Sequence, residues 1–350
     1  MIDSKVSEDV KNYYGKVLST NEDLKTTACC AIEAVPEHIK PILSKVHDEV
    51  MAKFYGCGSP IPPELEGRTV LDLGSGSGRD CFVFSKMVGP KGRVIGVDMT
   101  DEQIAVANKY VDFHTEMFGF VSPNVEFRKS YIEDLRSVDI ADNSMDIVTS
   151  NCVLNLSTDK EKVFEEIFRV LKPGGELFFS DVFSDRRISK DLADDPVLRG
   201  ECLGGAMYIE DFRRLLNRLG CSDYRFVSTS KLEVTDQDVA RKVGHISFYS
   251  NTVRAFKLNL EDRCEDYGQV AYYQGTLPES PHSFILDDHH EFFKGRPMLV
   301  CSNTARMISE TRFAKHFKIV GDESTHYGLF DCVPIQVSSG SPAGISGACC

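Results

Sequence analysis

The feature that most constrains the fold is a glycine-rich loop between a short apolar stretch and a helical pattern. The sequence VLDLGSGSGRD begins at residue 70 and has glycines at positions 74, 76 and 78. Glycine there lets the chain turn sharply and lets a ligand approach the main chain closely. The loop joins a predicted strand, Thr69–Leu73, to a predicted helix, Arg79–Val88. This order is typical of the first unit of a nucleotide-binding α/β domain.

The alternation of strand and helix continues after this loop. Further strands are predicted at Arg93–Met99, Val125–Ile132, Met145–Asn151, Glu176–Val182, Tyr224–Val234 and Ile246–Leu258, and further helices at Asp101–Phe118, Asp159–Leu171 and Ile209–Leu219. A turn, Lys172–Gly175, is expected to end the second of these helices. Strands that alternate with helices in this way predict a mostly parallel, Rossmann-like sheet with helices on both faces.

Changes in composition and pattern divide the chain into five predicted segments. These are an N-terminal helical segment (1–66), with amphipathic stretches at Val6–Leu18 and Ile39–Tyr55; the Rossmann-like core (67–185); an insertion followed by the final sheet strands (186–260); a small α+β C-terminal domain (261–337); and a flexible tail that ends in two cysteines (338–350).

The register of the glycine loop distinguishes between nucleotide cofactors. A dinucleotide fingerprint would read G-x-G-x-x-G, and Arg79 stands in place of its last glycine. The sequence instead reads D-x-G-x-G-x-G, the pattern of sheets that bind S-adenosylmethionine. Asp98 follows Gly76 by 22 residues, at the end of the next strand, where a carboxylate can accept both ribose hydroxyls. We therefore predict an S-adenosylmethionine site, with a dinucleotide-binding dehydrogenase or a cofactor-less fold as the alternative.

The predicted cofactor contacts lie where the first four strands end. Ile132 is expected to cover the adenine face, with the acid Glu133 beside it. The full predicted set is Asp72, Gly74, Ser75, Gly76, Gly78, Asp98, Met99, Gln103, Ile132, Glu133 and Asn151.

Charge and hydropathy exclude several classes of partner. The formal net charge of -13 disfavours nucleic acid and anionic lipid, which both need a basic surface. No apolar run approaches the ~18 residues of a membrane-spanning helix, and Met1–Val10 has no secretory pattern. We expect a cytoplasmic monomer.

Cysteines stand out in both number and position. The chain has 12, and none form a CxxC pair, so a zinc-ribbon interpretation fails on spacing. Cys152 directly follows the fourth predicted strand, beside Asn151 and Asn155, where a methyl acceptor would face the cofactor. Cys202 and Cys57 lie on loops that contain glycine. A buried, inert thiol is the expectation for each alone, but together they favour a site for a soft acceptor.

At these residues the chain resembles the arsenite methyltransferases, from DVKNYYGKVL (9–18) to at least Leu260. The most specific segments are DLKTTAC, which ends at Cys29, KFYGCGSPIP around Cys57, LDLGSGSGRDC, SNCVLNL around Cys152, LKPGGELFFSDV, and GECLGGA around Cys202. The resemblance implies a class I S-adenosylmethionine-dependent methyltransferase fold, with the arsenic-binding insertion in segment 186–260.

The resemblance also implies the reaction and its site. Methyl groups would pass from S-adenosylmethionine to trivalent arsenic, converting arsenite to methylated and dimethylated arsenicals in a detoxification reaction. The Cys152 and Cys202 positions hold arsenic in the family, and those of Cys29 and Cys57 supply a further ligand or a reducing pair. Cys30 is an additional thiol next to Cys29. Tyr55 corresponds to an aromatic residue that borders the arsenic site.

The implied chemistry explains why no histidine follows the fourth strand. Arsenic bound to three sulfurs keeps a lone pair, so its methylation requires no general base. Arsenic oxidised in the reaction must be reduced again, and we expect Cys29 or Cys30 to form a disulfide with Cys57. Thioredoxin or glutathione would reopen that disulfide.

Two alternative functions remain open from the sequence. The first is a C- or O-methyltransferase of the same fold that acts on a lipid, quinone or other small molecule. The second is a non-catalytic thiol protein that binds soft metalloids. Activity that depends on Cys152 and Cys202 distinguishes the first from arsenic methylation, and cofactor binding tests the second.

Several other groups carry weaker signals. Asp287–His290, with His282 nearby, contains metal-ligand types, but consecutive residues rarely converge on one ion, so a solvated turn or a domain contact is favoured. Cys81 is predicted to lie in the core. For Cys221, Cys264, Cys301 and Cys332 the sequence indicates only burial. The Cys349-Cys350 pair could relay arsenic or have no role.

Overall fold

The computed structural model describes residues 35–54 and 60–331. Its main sheet contains the strands β1 (Thr69–Leu73), β2 (Arg93–Asp98), β3 (Val125–Lys129), β4 (Met145–Asn151), β5 (Leu171–Ser184), β6 (Met207–Tyr208), β7 (Tyr224–Lys231) and β8 (Phe248–Phe256). Their order is β3-β2-β1-β4-β5-β8-β7, with β6 paired to β5.

Short helices surround this sheet. They are α1 (Lys40–Leu43), α2 (Asp48–Ala52), α3 (Arg79–Val88), α4 (Asp101–Lys109), α5 (Val111–Met117), α6 (Lys160–Val170), α7 (Lys190–Ala193), α8 (Pro196–Gly200), α9 (Ile209–Arg218) and α10 (Gln237–Val243). Among the described helices, none is long and apolar enough to cross a membrane.

Pairing within the sheet confirms the predicted doubly wound fold. β1 pairs in parallel with both β2 and β4, and the parallel run continues to β3 on one side and to β5 on the other. The strand order therefore reverses between β1 and β4, the switch point at which such sheets bind ligands beyond the carboxyl ends of their strands. β8 is antiparallel to both β5 and β7.

The apolar core lies on both faces of the sheet. One cluster packs α6 and α9 against β4 and β5, and a second packs α3 and α4 against β1 and β2. Cys81 in α3 is fully buried, which confirms its predicted place in the core. Its thiol donates a hydrogen bond to Asp72 on β1, across 3.3 Å.

Several predicted boundaries were wrong. The helix predicted over 101–118 is interrupted at Tyr110, which separates α4 from α5. The predicted turn Lys172–Gly175 lies inside β5, where the pairing with β4 shifts register between Met145 and Ile147. The single stretch predicted from Ile39 is two short helices, α1 and α2. In the two helical cases a local interruption leaves the hydrophobic period unchanged, so the period alone could not reveal it. At Lys172–Gly175 strand pairing overrides the local turn signal.

The C-terminal region forms a separate small α+β layer. It contains β9 (Glu265–Asp266), β10 (Gln269–Tyr273), β11 (Ser283–Ile285), β12 (Glu291–Phe293), β13 (Pro297–Val300), α11 (Ser302–Ser309), β14 (Phe317–Val320) and β15 (Gly328–Leu329). A three-stranded sheet, β13-β10-β14, packs against α11 around its own apolar cluster.

One buried ion-pair group joins this layer to the main sheet. Glu176 on β5 is fully buried, and its carboxylate pairs with Arg254 on β8 and with Arg312, which follows α11. The Arg312 Nε also donates to the main-chain oxygen of Pro63, at 3.1 Å. Opposite charges that are taken out of water need such pairing, because each alone would be costly to bury.

Candidate functional site

A cavity opens at the carboxyl ends of β1, β2 and β4, as the switch-point rule predicts. Of the predicted cofactor contacts, all except Gly78 line it. The lining residues are Lys53, Phe54, Asp72, Gly74, Ser75, Gly76, Ser77, Asp80, Asp98, Met99, Thr100, Gln103, Ser130, Tyr131, Ile132, Glu133, Asn151, Cys152, Val153, Leu156 and Ser157.

The glycine loop forms the floor of this cavity, and two of its glycines are required for different reasons. Gly74 has a φ of 72°, and a Cβ there would lie 2.3 Å from a methyl group of Val153. Gly78 is the N-cap of α3 with a φ of 90°, and a Cβ there would meet the Phe127 ring at 2.6 Å. Gly78 therefore turns and packs the chain, which explains why it does not line the cavity.

Asp98 holds the glycine loop in place and faces the cavity. Its Oδ2 accepts a hydrogen bond from the Gly76 amide at 2.9 Å, and its Oδ1 accepts one from the Thr100 amide at 2.8 Å. Burial raises the pKa of this carboxyl, although the main-chain donors oppose the rise. Asp98 thus presents acceptor oxygens at the end of β2, where hydroxyl groups of a ligand can donate to them.

Two other polar atoms in the cavity wall suit a nucleoside ligand. The Ser75 hydroxyl and the Gln103 Oε1 are buried, and both lack a hydrogen-bond partner within the described protein. Buried polar atoms normally have partners, so an unsatisfied pair beside a glycine loop fits a ligand that supplies them. These polar groups, together with Asp98, therefore fit S-adenosylmethionine.

Asp72 lies deeper, at the end of β1. Desolvation and the nearby Asp80 raise the pKa of its carboxyl to about 8. Its Oδ1 accepts from the Thr149 hydroxyl at 3.1 Å. A carboxyl in these surroundings becomes easier to ionise when a cation binds beside it.

The cover of the cavity contains residues that the sequence did not identify. Phe54 stacks under the Arg79 guanidinium at 3.7 Å, and Arg79 pairs with Asp80 at 3.2 Å. The Ser77 hydroxyl donates to the main-chain oxygen of Val50 at 2.9 Å, which ties α2 to the loop. The only available sequence signal was the position of Asp80 directly after the glycine motif, because the other contacts come from a different segment.

Cys152 and Cys202 are brought together by two strained turns. Both residues have left-handed backbone, with φ of 57° and 61°. Such angles are uncommon for residues with a side chain, and they cluster at functional sites. The Cys202 thiol donates to the main-chain oxygen of Cys152 across 3.4 Å. Cys152 also lines the cofactor cavity, so this one residue connects the two parts of the site.

The state of these two sulfurs bears on what they can bind. Both side chains are buried, with 2 and 1% of their surfaces exposed. The sulfur of Cys152 is in a disulfide bond. A soft ion binds reduced sulfur, so the proposed chemistry needs Cys152 as a thiol or thiolate.

A buried hydrogen-bonded clamp supports the turn that carries Cys152. The Asn155 main-chain amide and its Nδ2 donate to the two carboxylate oxygens of Asp181, at 3.1 and 2.6 Å. Nδ2 also donates to the main-chain oxygen of Val182 at 2.6 Å. Burial raises the pKa of Asp181 to about 7.

A cation lies near this clamp. Desolvation lowers the pKa of the Lys160 ammonium to about 8, while the nearby Asp181, Glu133 and Cys202 oppose the loss of its charge. Its Nζ donates to the main-chain oxygen of Ser157 at 3.0 Å. Lys160 thus lies near the Cys202 turn. The sequence alone did not identify this lysine as part of the site.

Comparison with known proteins relates this site to one family. A methyltransferase-domain model matches residues 64–220, and a model of the arsenite methyltransferase C-terminal domain matches residues 266–337. An arsenite methyltransferase from Aquipseudomonas alcaligenes is 55% identical over 93% of this chain and 93% of its own length. The chain belongs to the arsenite methyltransferase family.

Two further members of the arsenite methyltransferase family support the assignment. The rat arsenite methyltransferase is 43% identical, over 90% of this chain and 85% of its own. A crystal structure of an arsenic(III) S-adenosylmethionine methyltransferase from Chlamydomonas reinhardtii is 48% identical, with a TM-score of 0.82 over 85% of this chain and 100% of that chain. The predicted family and fold are thereby confirmed.

Several predicted features of this chain lie outside the described residues. They are Cys29 and Cys30, Tyr55 and Cys57, the Val6–Leu18 stretch and the Cys349-Cys350 tail. Their roles stay predictions, as do the five segment boundaries.

The acidic and histidine cluster of the C-terminal domain is mainly a charge contact. Ligand atoms of Asp287, Asp288 and His289 do lie within 4.8 Å of one another. Asp287, however, is buried and pairs with Arg225 on β7 at 3.2 Å and with the His290 ring at 2.7 Å. The contacts of Asp287 agree with the favoured domain-contact interpretation.

Proposed function

We propose that this protein transfers methyl groups from S-adenosylmethionine to trivalent arsenic held by Cys152 and Cys202. The observation that carries the proposal is the contact between the two cysteine turns at the edge of the cofactor cavity. Family membership supports the choice of substrate, because the similar proteins carry the names of arsenite and arsenic(III) methyltransferases.

The cofactor is assigned to the glycine-loop cavity. Asp98 would accept the ribose hydroxyls, Ser75 and Gln103 would satisfy further polar groups, and Ile132 would cover the adenine. S-adenosylmethionine supplies an electrophilic methyl group when it is bound. Burial raises the pKa of the Asp72 carboxyl at the end of β1, where this group would pair with a positively charged part of the ligand.

The acceptor site follows from the chemistry of thiolates. Soft sulfur ligands bind trivalent arsenic, which keeps a lone pair on its open side. A lone pair that is already available requires no proton removal. This agrees with the side chains that follow β4, which are amide, thiol and apolar groups and not a histidine or lysine base. Lys160 contributes a positive charge near Cys202.

Turnover requires reduced sulfur. A thiol reductant such as thioredoxin or glutathione would keep Cys152 reduced so that arsenic can bind. We further propose that Cys29 or Cys30 pairs with Cys57 to return oxidised arsenic to the trivalent state. Mass-spectrometric mapping during turnover should detect that disulfide, and a map without it contradicts the pairing.

The remaining expectations are that the enzyme acts as a cytoplasmic monomer and produces methylated and dimethylated arsenicals. Light scattering of the purified chain tests the first in part, since a larger mass contradicts a monomer. The distribution of arsenical products with time tests the second.

The decisive experiment compares the wild type with Cys152→Ser and Cys202→Ser. Each protein is incubated with S-adenosylmethionine, arsenite and a thiol, and the products are separated with arsenic-specific detection. We expect methylated arsenic from the wild type and at least 100-fold less from either variant, because the loss of one sulfur ligand misplaces the acceptor. Cys221→Ser is the matched control, since Cys221 is buried but does not line the cavity.

Cofactor binding distinguishes the alternative functions. A wild type that binds S-adenosylmethionine but forms no methylated arsenic would contradict the proposal and favour a small-molecule C- or O-methyltransferase. A wild type that binds arsenite but not the cofactor would favour a non-catalytic metalloid-binding protein. Full activity in both cysteine variants would contradict the assigned arsenic ligands.

A further inference from the structure

Two thiols of the C-terminal domain are in contact, although the proposed reaction uses neither. Cys264 lies directly before β9, and Cys301 is the N-cap of α11. Their side chains are buried, with 2 and 1% of their surfaces exposed. Cys264 donates a hydrogen bond to Cys301, so the two sulfurs are neighbours. The fold therefore builds a dithiol from residues that are distant in sequence.

The surroundings of Cys301 favour a negative charge on its sulfur. The Thr304 amide donates to it across 3.4 Å, as expected at the start of a helix, and the Thr304 hydroxyl lies 3.3 Å away. The hydrogen bond from Cys264 and the positive charge of Arg225 help to lower the pKa of Cys301 to about 6. These contacts favour the thiolate form of Cys301.

A surface cavity leads to this pair. Cys264 lines it together with Asp223, Tyr224, Arg263 and Asn303. A small solute in the cavity would meet Cys264, whose sulfur interacts with that of Cys301. Cys221, by contrast, donates only to the main-chain oxygen of Asp223, and burial raises its pKa to about 12.

We propose that Cys264 and Cys301 form a second binding site, for trivalent arsenicals that carry at least two exchangeable oxygen ligands. The site is separate from Cys152 and Cys202, because it lies in the C-terminal domain and borders a different cavity. Its ligand class includes arsenite and monomethylarsonous acid. The proposal rests on trivalent arsenic being the substrate of this enzyme.

The chemistry of two sulfurs favours arsenic over a metal cation. Structural zinc sites need four protein ligands, whereas a monosubstituted arsenical needs only two. Among the described residues, neither cysteine belongs to a group of three or more side chains that could hold a metal ion. The nearby carboxylate of Asp223 accepts two hydrogen bonds from the Arg225 guanidinium, from Nε at 2.8 Å and from Nη2 at 2.6 Å.

The binding reaction balances without an oxidant. The Cys301 thiolate and the Cys264 thiol each form one As–S bond to monomethylarsonous acid, and the two As–O bonds break. The hydroxyl groups leave as two water molecules, which take up the thiol proton of Cys264 and one proton from solvent. Arsenic stays trivalent throughout.

The test counts bound arsenical on the full-length, fully reduced chain. Monomethylarsonous acid is the probe, and native mass spectrometry measures the number of adducts. We expect Cys264→Ser and Cys301→Ser each to bind one equivalent fewer than the wild type. Cys221→Ser, the matched control for a buried thiol, should bind as many as the wild type. Unchanged stoichiometry in either of the first two variants overturns the proposal.

Two further measurements keep the result interpretable if a variant folds poorly. Fragmentation of the intact wild-type complex should place one arsenical adduct on the segment that contains both Cys264 and Cys301, and its absence there overturns the proposal. Treatment with a small disulfide serves as the second probe. A Cys264–Cys301 disulfide formed in a protein that binds no arsenical at these residues would identify a redox pair and overturn the proposal.

The two arsenic sites can fail independently. Cys152→Ser should lose methylation but keep the adduct on Cys264 and Cys301. If arsenic methylation is absent from the wild type while that adduct forms, the proposed function fails and the second site stands. If methylation is normal but the adduct is missing, only the second site fails.

Discussion

The main chain of Gly205 lies against the carbonyl oxygen of Asn155, so closely that a Cβ at Gly205 would be 2.0 Å from it. Asn155 follows Cys152 by three residues, and Gly205 follows Cys202 by three. The loops that carry the two proposed arsenic ligands are therefore packed backbone against backbone. A side chain at Gly205 must push them apart, because neither partner is a flexible group.

Gly205→Ala should reduce arsenic methylation about 100-fold, since a displacement near 1 Å of a reacting group can cost this much. The measurement is the initial rate of methylated arsenic formation at saturating S-adenosylmethionine. Gly220→Ala is the control. Its φ is 83° and no atom lies within 4 Å of the added Cβ, so it carries backbone strain without a clash. Equal losses in both variants would show that general destabilisation, and not loop separation, is responsible.

Asp98→Asn should weaken binding of S-adenosylhomocysteine by about 10- to 100-fold, because hydrogen bonds to a charged acceptor contribute about 1.5–3 kcal/mol. Isothermal titration calorimetry measures the change. Asp101→Asn is the matched control, since that acid lies in the first turn of α4, is largely exposed and pairs with Lys129 at 2.5 Å. Unchanged affinity in Asp98→Asn would contradict the assigned role of this carboxylate in cofactor binding.

The buried ring of His114 should make stability depend on pH. Its Nδ1 donates to the Tyr110 carbonyl at 2.7 Å, and its Nε2 accepts from the His47 amide at 3.2 Å. Protonation would turn Nε2 into a donor that faces another donor. Burial lowers the pKa of this ring from 6.5 to about 4. The unfolded chain therefore binds more protons between these values, and stability falls as the pH drops through that range.

Between pH 7.5 and 5 the wild type should lose about 2 kcal/mol more of its free energy of unfolding than His114→Phe. Urea denaturation at several pH values measures the slope, whatever the absolute stability of the variant. His38→Gln, at an exposed position, should keep the slope of the wild type. Parallel slopes for the wild type and His114→Phe would contradict the assignment.

Glu176→Gln should destabilise the fold by about 3–5 kcal/mol, because two guanidinium groups would lose a buried counter-charge. Glu176 is fully buried between Arg254 and Arg312. Urea denaturation again measures the change. Glu126→Gln is the control, since its pair with Arg93 at 2.5 Å is exposed and should contribute at most about 1 kcal/mol. A similar small loss in both variants would show that the buried group is not what couples the C-terminal layer to the sheet.

Helices and strands whose apolar residues recur at a clear period could be predicted from the sequence. The bounds of β1, α3 and β4 agree with the predicted ones residue for residue. The prediction succeeds there because local periodicity and turn chemistry determine those elements. The interruption at Tyr110 was missed, because a break that keeps the apolar side chains in phase leaves no trace in the pattern.

The sequence by itself determined the α/β class, the cofactor loop and the importance of Asp98, since strand, glycine turn and acid follow one another at short range. Tertiary structure alone decided which distant groups meet. It placed the Cys152 and Cys202 turns against each other, set Asn155 on Asp181, and joined Cys264 to Cys301. The physical reason is that packing of the insertion on β5 and of α11 on the C-terminal sheet sets these contacts, and no local pattern encodes such packing.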